Sequence, residues 1–129
     1  MSTFETFVEI EAWQKARQLS KAMYEISSTA PFARDFSLKD QIRRASVSVM
    51  SNIAEGYERG GTKEFLQFLS MAKGSIGEVR SLLYVARDQG YIDERVFLDL
   101  TARGTEISRM ISGLMAYLHR CGFKGVKFK

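Results

Sequence analysis

The chain has 129 residues, of which 45% are hydrophobic and 26% charged, and this composition is typical of one globular domain. Its formal net charge is +4, but Lys124, Lys127 and Lys129 near the end of the sequence supply most of the excess. Without those three lysines the charge is about +1. The rest of the chain is thus close to neutral, which weakens the usual inference from a basic protein to a nucleic-acid-binding body.

Localisation is indicated by the cysteine content and by the lack of long apolar runs. A single cysteine, Cys121, cannot form an internal disulfide, and this favours a reducing compartment. The first residues carry acids where a signal peptide carries positive charge, and no apolar run approaches the ~20 residues of a membrane-spanning helix. We therefore expect a cytoplasmic protein with no membrane partner.

Two helical segments are predicted in the first half of the chain. The first is expected from Glu11 to Ser28, and Pro31 ends it because the residue before a proline resists the α conformation. The second is expected to start at Ser37 as its N-cap and to continue to Arg59.

Two further helices follow the glycine pair Gly60–Gly61. The third is expected to have Thr62 as its N-cap and to stop at Gly90, a glycine suited to the position after a helix C-terminus. The fourth is expected to be capped by Asp93 and closed by Gly122.

Short connections between successive helices require antiparallel neighbours. The predicted fold is therefore all-α, an up-down-up-down antiparallel four-helix bundle. We assign residues 1–122 to the bundle domain and residues 123–129 to a basic C-terminal tail.

The second helix carries a polar stripe beside its apolar face. The stripe consists of residues at helical spacing: Gln41, Arg44, Ser48, Asn52, Glu55 and Arg59. A helix that only fills a bundle needs an apolar stripe and a varied solvent side. An ordered polar row of this length predicts a contact with another helix or subunit.

The third helix carries a row of small residues, which we call the small-residue row: Ser70, Gly74, Gly77 and Ser81. Each glycine inside a helix costs up to about 1 kcal/mol relative to alanine. The row therefore indicates close approach of a second backbone. Two interpretations stay open, namely tight packing within the same bundle and a subunit interface. Candidate interface residues are Ser48, Asn52, Glu55, Ser70, Gly74, Gly77, Glu78 and Ser81.

Basic residues near the middle of the chain are candidates for nucleic-acid binding. Arg43 and Arg44 are adjacent, while Arg59 and Lys63 flank the Gly60–Gly61 pair. Clustered cations suit phosphate contacts. The alternative is that nearby acids neutralise these arginines and that the lysine-rich tail is only a solvated end.

Catalytic chemistry has little support. The only histidine, His119, and the only cysteine, Cys121, are two residues apart on a helix and so point to different sides. We predict no metal, no cofactor and no small-molecule substrate, and a protein that is not an enzyme. A competing hypothesis is an enzyme with a polar pocket around Asn52, Glu55 and Glu78.

A family resemblance is carried by the run QIRRASVSVMSNIAEGYERGGTKEFLQFLSMAKGSIGE, from Gln41 to Glu78. This run resembles the signature of the 23S rRNA-intervening-sequence proteins, a bacterial family of small four-helix bundles. Family positions are matched by the following residues: Arg43, Arg44, Ser48, Asn52, Glu55, Gly56, Gly74, Ser75 and Glu78.

The resemblance also has functional implications. Members of the family are similar in fold to the pentameric accessory protein of diversity-generating retroelements, which is a nucleic-acid-binding partner of a reverse transcriptase. The resemblance thus implies a homo-oligomer, in particular a five-membered ring, with an RNA- or DNA-related role and no catalytic residues.

Two main functional hypotheses follow. The first is a non-enzymatic ring that binds RNA or DNA through Arg43, Arg44, Arg59 and Lys63. The second is a structural or protein-interaction scaffold without nucleic-acid binding, whose basic residues are neutralised by neighbouring acids: Glu55, Glu58, Glu64 and Glu78.

Overall fold

The computed structural model describes residues 4–123, and within them it contains four α-helices and no β-strand. The helices are α1 (Glu11–Ile26), α2 (Phe36–Arg59), α3 (Thr62–Asp88) and α4 (Glu94–Cys121), with short 3-10 turns at Phe7–Glu9 and Phe32–Arg34. Each helix packs against the next along the chain, and α4 packs back against α1. The prediction of an all-α, up-down-up-down bundle is confirmed.

The start of α2 differs from the sequence-based expectation. Asp35, and not Ser37, is the N-cap, because the Asp35 Oδ1 accepts a hydrogen bond of 3.1 Å from the Leu38 backbone N–H. The α1 helix ends at Ile26, two residues earlier than expected, and the Ser27 and Ser28 hydroxyls donate to backbone carbonyls of its last turn. The Asp35 side chain satisfies a backbone N–H at the start of α2, and the serine hydroxyls compete for the carbonyls that would continue α1.

The ends of α3 and α4 mostly agree with the ends predicted from the sequence. Thr62 is the first helical residue of α3 and Gly61 occupies the N-cap, so the Thr62 N-cap prediction is wrong by one position. The Thr62 hydroxyl oxygen instead accepts a hydrogen bond of 2.6 Å from the Phe123 backbone N–H. Asp93 caps α4 as predicted, with its Oδ1 2.8 Å from the Val96 nitrogen, and Gly122 follows the last helical residue.

One end of the bundle is closed by a contact between the α1–α2 and α3–α4 connections. The Phe32 and Tyr91 rings stack with centroids 5.1 Å apart. The Tyr91 hydroxyl donates to Asp35 Oδ2 over 2.9 Å, so one carboxylate both caps α2 and holds the other connection. That hydrogen bond is the main reason that the pKa of the Tyr91 phenol is raised.

At the opposite end, aromatic side chains join the N-terminal segment, the α2–α3 turn and the end of α4. Tyr57, Phe65 and Phe123 are all buried and their rings meet pairwise at centroid distances of 5.8 to 6.0 Å. The Tyr57 hydroxyl donates to the Phe4 carbonyl over 2.7 Å. Phe123, the first residue of the expected basic tail, is thus part of the core. Residues 124–129, with all three of the tail's lysines, lie outside the described residues.

The seam between α2 and α3 depends on a helical glycine. A Cβ placed on Gly56 would lie 2.6 Å from the Phe68 Cβ and 3.1 Å from the Phe65 Cδ1. Real Cβ atoms do not approach other atoms this closely, so the absence of a side chain at Gly56 allows α2 and α3 to pack at their present separation. None of the helices within residues 4–123 combines the length and apolarity needed to cross a membrane.

Candidate interaction surfaces

The candidate Arg43 holds the end of α1. Its Nε donates to the Ser27 Oγ over 2.8 Å, and its guanidinium also donates to the Tyr24 carbonyl over 3.3 Å. The guanidinium carbon lies 4.5 Å from the centre of the Tyr24 ring. A cation is favourable beside the carbonyls that end a helix. Arg43 therefore has a structural role within the chain.

Its neighbour Arg44 points elsewhere, because successive residues on a helix are about 100° apart. Arg44 pairs with Asp40 at 3.0 Å, and Arg59 pairs with Glu55 at 2.9 Å, as the i,i+4 spacing allows. These side chains are more than half exposed, so each pair contributes little stability and leaves the arginine accessible.

The four basic candidates do not form one continuous surface. Arg43 faces α1, whereas Arg44 and Arg59 lie on the α3 side of α2, fifteen residues and thus ~22 Å apart along the axis. Lys63 is exposed in the first turn of α3, near Arg59 and the Gly60–Gly61 turn.

The centre of the polar stripe on α2 is used to contact α3. The Ser48 and Ser75 hydroxyls share a hydrogen bond of 2.9 Å. The Asn52 amide donates to the Ser48 carbonyl over 2.8 Å and to its hydroxyl over 3.0 Å. Both Ser48 and Asn52 are half-buried. The expected polar contact with another helix is therefore present, and it lies within the chain.

The small-residue row on α3 faces away from the bundle. All four of its residues are exposed, and a Cβ placed on Gly74 or Gly77 would meet nothing within 4 Å. Close packing inside the same chain therefore does not account for these glycines. Met71 and Val85 flank the row and are 49% and 41% exposed, so the outer face of α3 is partly apolar. Glu78 is also exposed there.

The acids of the scaffold hypothesis have different surroundings. Glu55 pairs with Arg59, while the Glu64 carboxylate folds over Gly61 at the start of α3. Glu58 and Glu78 are exposed. Neutralisation of the basic candidates by this group is thus visible for Arg59, whereas Arg44 is paired with Asp40 from outside the group.

A second basic surface, which sequence reasoning missed, follows the groove between α3 and α4. Lys73, Arg80 and Arg87 are seven residues apart, which places them on one flank of α3. The Lys73 Nζ donates to the Ser112 hydroxyl over 2.7 Å. The Arg80 stem lies over Gly104, whose Cβ would be 3.0 Å from the Arg80 Cγ. The seven-residue spacing of these cations is visible in the sequence and could have indicated this surface.

Groups with catalytic potential are dispersed. Within residues 4–123, no three His, Cys, Asp or Glu side chains are grouped so that they could hold a metal ion. A groove of about 470 Å³ lies between the N-terminal segment and α4, with Phe4, Ile10, Met110 and Leu114 among its walls. Its lining does not include Asn52, Glu55 or Glu78, the residues of the enzymatic hypothesis.

Comparison with known proteins gives the family. A solved structure of a protein of unknown function from the S23 ribosomal protein family of Bacteroides thetaiotaomicron has a similar fold, with a TM-score of 0.74. It is 19% identical and is aligned over 81% of this chain and 97% of its own. No curated protein matches the sequence. The family model described as 23S rRNA-intervening sequence protein matches residues 8–113. The chain therefore belongs to the 23S rRNA-intervening sequence protein family.

Proposed function

We propose that the protein is a non-enzymatic component of the bacterial cytoplasm that assembles into a homo-oligomeric ring, a pentamer, and binds RNA or DNA through basic surface residues repeated around the ring. A basic surface that binds nucleic acid weakly on one chain binds it more tightly when identical copies present the surface together, because the weak contacts add as avidity.

The observation that supports assembly is the exposed small-residue row. Gly74 and Gly77 each cost the α3 helix up to about 1 kcal/mol, and no atom of the described chain lies close enough to require them. The flanking Met71 and Val85 add exposed apolar surface. A second copy whose backbone approaches α3 would use the glycines and would cover these side chains.

Replacing Gly74 and Gly77 together with leucine is expected to dissociate the oligomer, because two bulky side chains would stand where the second backbone approaches. In the isolated chain both positions are open, so helicity should be retained. Light scattering would measure the mass and circular dichroism the helicity.

The matched control is the replacement of Gln18 and Lys21 with leucine. These residues are also exposed and three apart, but they lie on α1. We expect the control to keep the mass of the wild-type protein. An unchanged mass for the Gly74→Leu, Gly77→Leu variant would exclude the small-residue row as the interface.

Nucleic-acid binding is supported by the exposed cations Arg44, Arg59 and Lys63. The ion pairs of the two arginines are themselves more than half exposed and leave both side chains accessible. Titration of a structured RNA is expected to show binding that weakens steeply as salt is raised, because phosphate contacts release counterions. Absence of measurable binding even at low salt would contradict this part of the proposal.

The alternative function is a structural or protein-interaction scaffold. It is favoured by the pairing of Arg44 with Asp40 and of Arg59 with Glu55, which reduces the net positive charge of that side of α2. A scaffold would form the oligomer and would fail to bind RNA, so mass and titration together distinguish the two functions.

A further inference from the structure

We propose that the groove between α3 and α4 binds single-stranded nucleic acid, with Lys73 and Arg80 contacting phosphates and Tyr84 stacking on a base. This rests on the proposed nucleic-acid function and adds a contact surface that is separate from Arg44, Arg59 and Lys63. The groove is defined here by Lys73, Arg80 and Tyr84 on α3 and by the facing residues of α4 from Thr101 to Ser112.

The groove is positive between Lys73 and Arg80 because the acid of α4 that reaches this flank of α3, Glu94, lies beyond that stretch and pairs with Arg87 at 3.6 Å. On α4, Glu106 lies 3.9 Å from the Lys15 Nζ of α1, and Asp99 lies 3.9 Å from an Arg103 nitrogen. Arg103 and Glu106 line one cleft with Lys15, so both acids are on the side of α4 that faces α1. On α3, helical spacing places Glu64 and Glu78 on the flank away from α4. Within residues 4–123, Lys73 and Arg80 form no ion pair.

The two cations are held in position without losing their charge. Lys73 donates to the Ser112 hydroxyl, a neutral acceptor, over 2.7 Å. Gly104 is buried and leaves room for the Arg80 stem to lie across α4. A spacing of seven residues separates the two cations by ~10.5 Å along the helix axis. Side chains that are positioned in advance lose less conformational entropy when a phosphate binds.

An aromatic ring continues the line of cations. Tyr84 lies one helical turn beyond Arg80 and is 52% exposed. Its ring is supported by Phe97, with centroids 4.8 Å apart and planes at 71°, and by the Arg87 guanidinium at 5.1 Å. Arg87 is itself engaged with Glu94 at 3.6 Å. A supported, half-exposed aromatic beside cations is typical of surfaces on which unpaired bases stack.

This combination favours single strands over duplexes. Stacking on Tyr84 requires a base face that is not already covered, and bases in a duplex are stacked inside it. The groove also borders the small-residue row on α3, since helical spacing puts Gly77 next to this flank. In the proposed ring the groove would thus occur once per subunit, beside the interface.

The test is fluorescence anisotropy of the full-length protein with a labelled oligouridine and with a duplex RNA of equal length, over a salt series. Replacement of Lys73 and Arg80 with glutamine is expected to weaken oligouridine binding at least tenfold and to reduce the salt slope by about 1.4, which is 0.7 for each lost phosphate contact. Tyr84→Ala should weaken binding by about fivefold to a hundredfold, and Tyr84→Phe should restore it.

The matched control removes two charges from α1, as Arg17→Gln with Lys21→Gln, and is expected to leave binding within about threefold, because both residues are exposed on a helix outside the groove. Loss of binding on Arg44→Gln with Lys63→Gln, and none on substitution of Lys73 and Arg80, would overturn the groove while nucleic-acid binding stands. Tighter binding of the duplex, with no effect of Tyr84→Ala, would overturn the single-strand specificity. If the wild-type protein binds neither probe at low salt, the proposed nucleic-acid function fails as well.

Discussion

Replacing Gly56 with alanine is expected to lower the free energy of unfolding by about 1–3 kcal/mol, although alanine is the better helix former. The added methyl group would lie 2.6 Å from the Phe68 Cβ, an atom fixed to the α3 backbone that cannot rotate away. The two helices would have to separate, and the contacts on either side of the site would loosen. Urea denaturation followed by circular dichroism measures the change.

Gly113 provides the matched control for this substitution. It also lies inside a helix, but its Cβ would meet nothing within 4 Å. Gly113→Ala is therefore expected to raise the free energy of unfolding, by up to about 1 kcal/mol. Stabilisation by both alanines would show that close packing at Gly56 does not control the separation of α2 and α3.

Truncation of Phe65 to alanine is expected to lower the free energy of unfolding by about 3–5 kcal/mol, more than Gly56→Ala does. The side chain is fully buried and its ring meets those of Tyr57 and Phe123. Its removal leaves a cavity where α2, α3 and the end of α4 come together. The measurement is again denaturant unfolding.

Phe36 is the control for aromatic truncation, since its side chain is 73% exposed. Its contact with Lys39, at 5.1 Å, is an exposed cation–π interaction worth about 0.5–1 kcal/mol. Phe36→Ala should therefore cost no more than about 1 kcal/mol. Equal costs for the Phe36 and Phe65 substitutions would contradict the assignment of Phe65 to the centre of the core.

The fold could be predicted because its determinants repeat along the sequence. Buried residues such as Ile42, Val49 and Ile53 recur at helical spacing, and few connecting residues remain between the periodic segments. The start of α2 was predicted less accurately because two residues with capping side chains, Asp35 and Ser37, lie two positions apart. Asp35 is the N-cap of α2 instead of Ser37 because its second carboxylate oxygen also accepts a hydrogen bond from Tyr91, a residue far away in the sequence.

The candidate site was predicted less well, because sequence adjacency is a poor guide to surface adjacency on a helix. Arg43 and Arg44 read as one basic pair, yet the first binds the end of α1 and the second faces the other flank. Gly56 attracted no packing prediction because the residue that requires it, Phe68, belongs to the next helix. The row formed by Lys73 and Arg80 is visible as a spacing of seven, but only the folded chain reveals that acids are directed away from it.

Homo-oligomeric assembly is tested most directly by the molar mass of the wild-type protein in solution. Multi-angle light scattering during gel filtration is expected to give five times the chain mass of 14.7 kDa. A stable species with the mass of one chain, across the accessible concentration range, would contradict it.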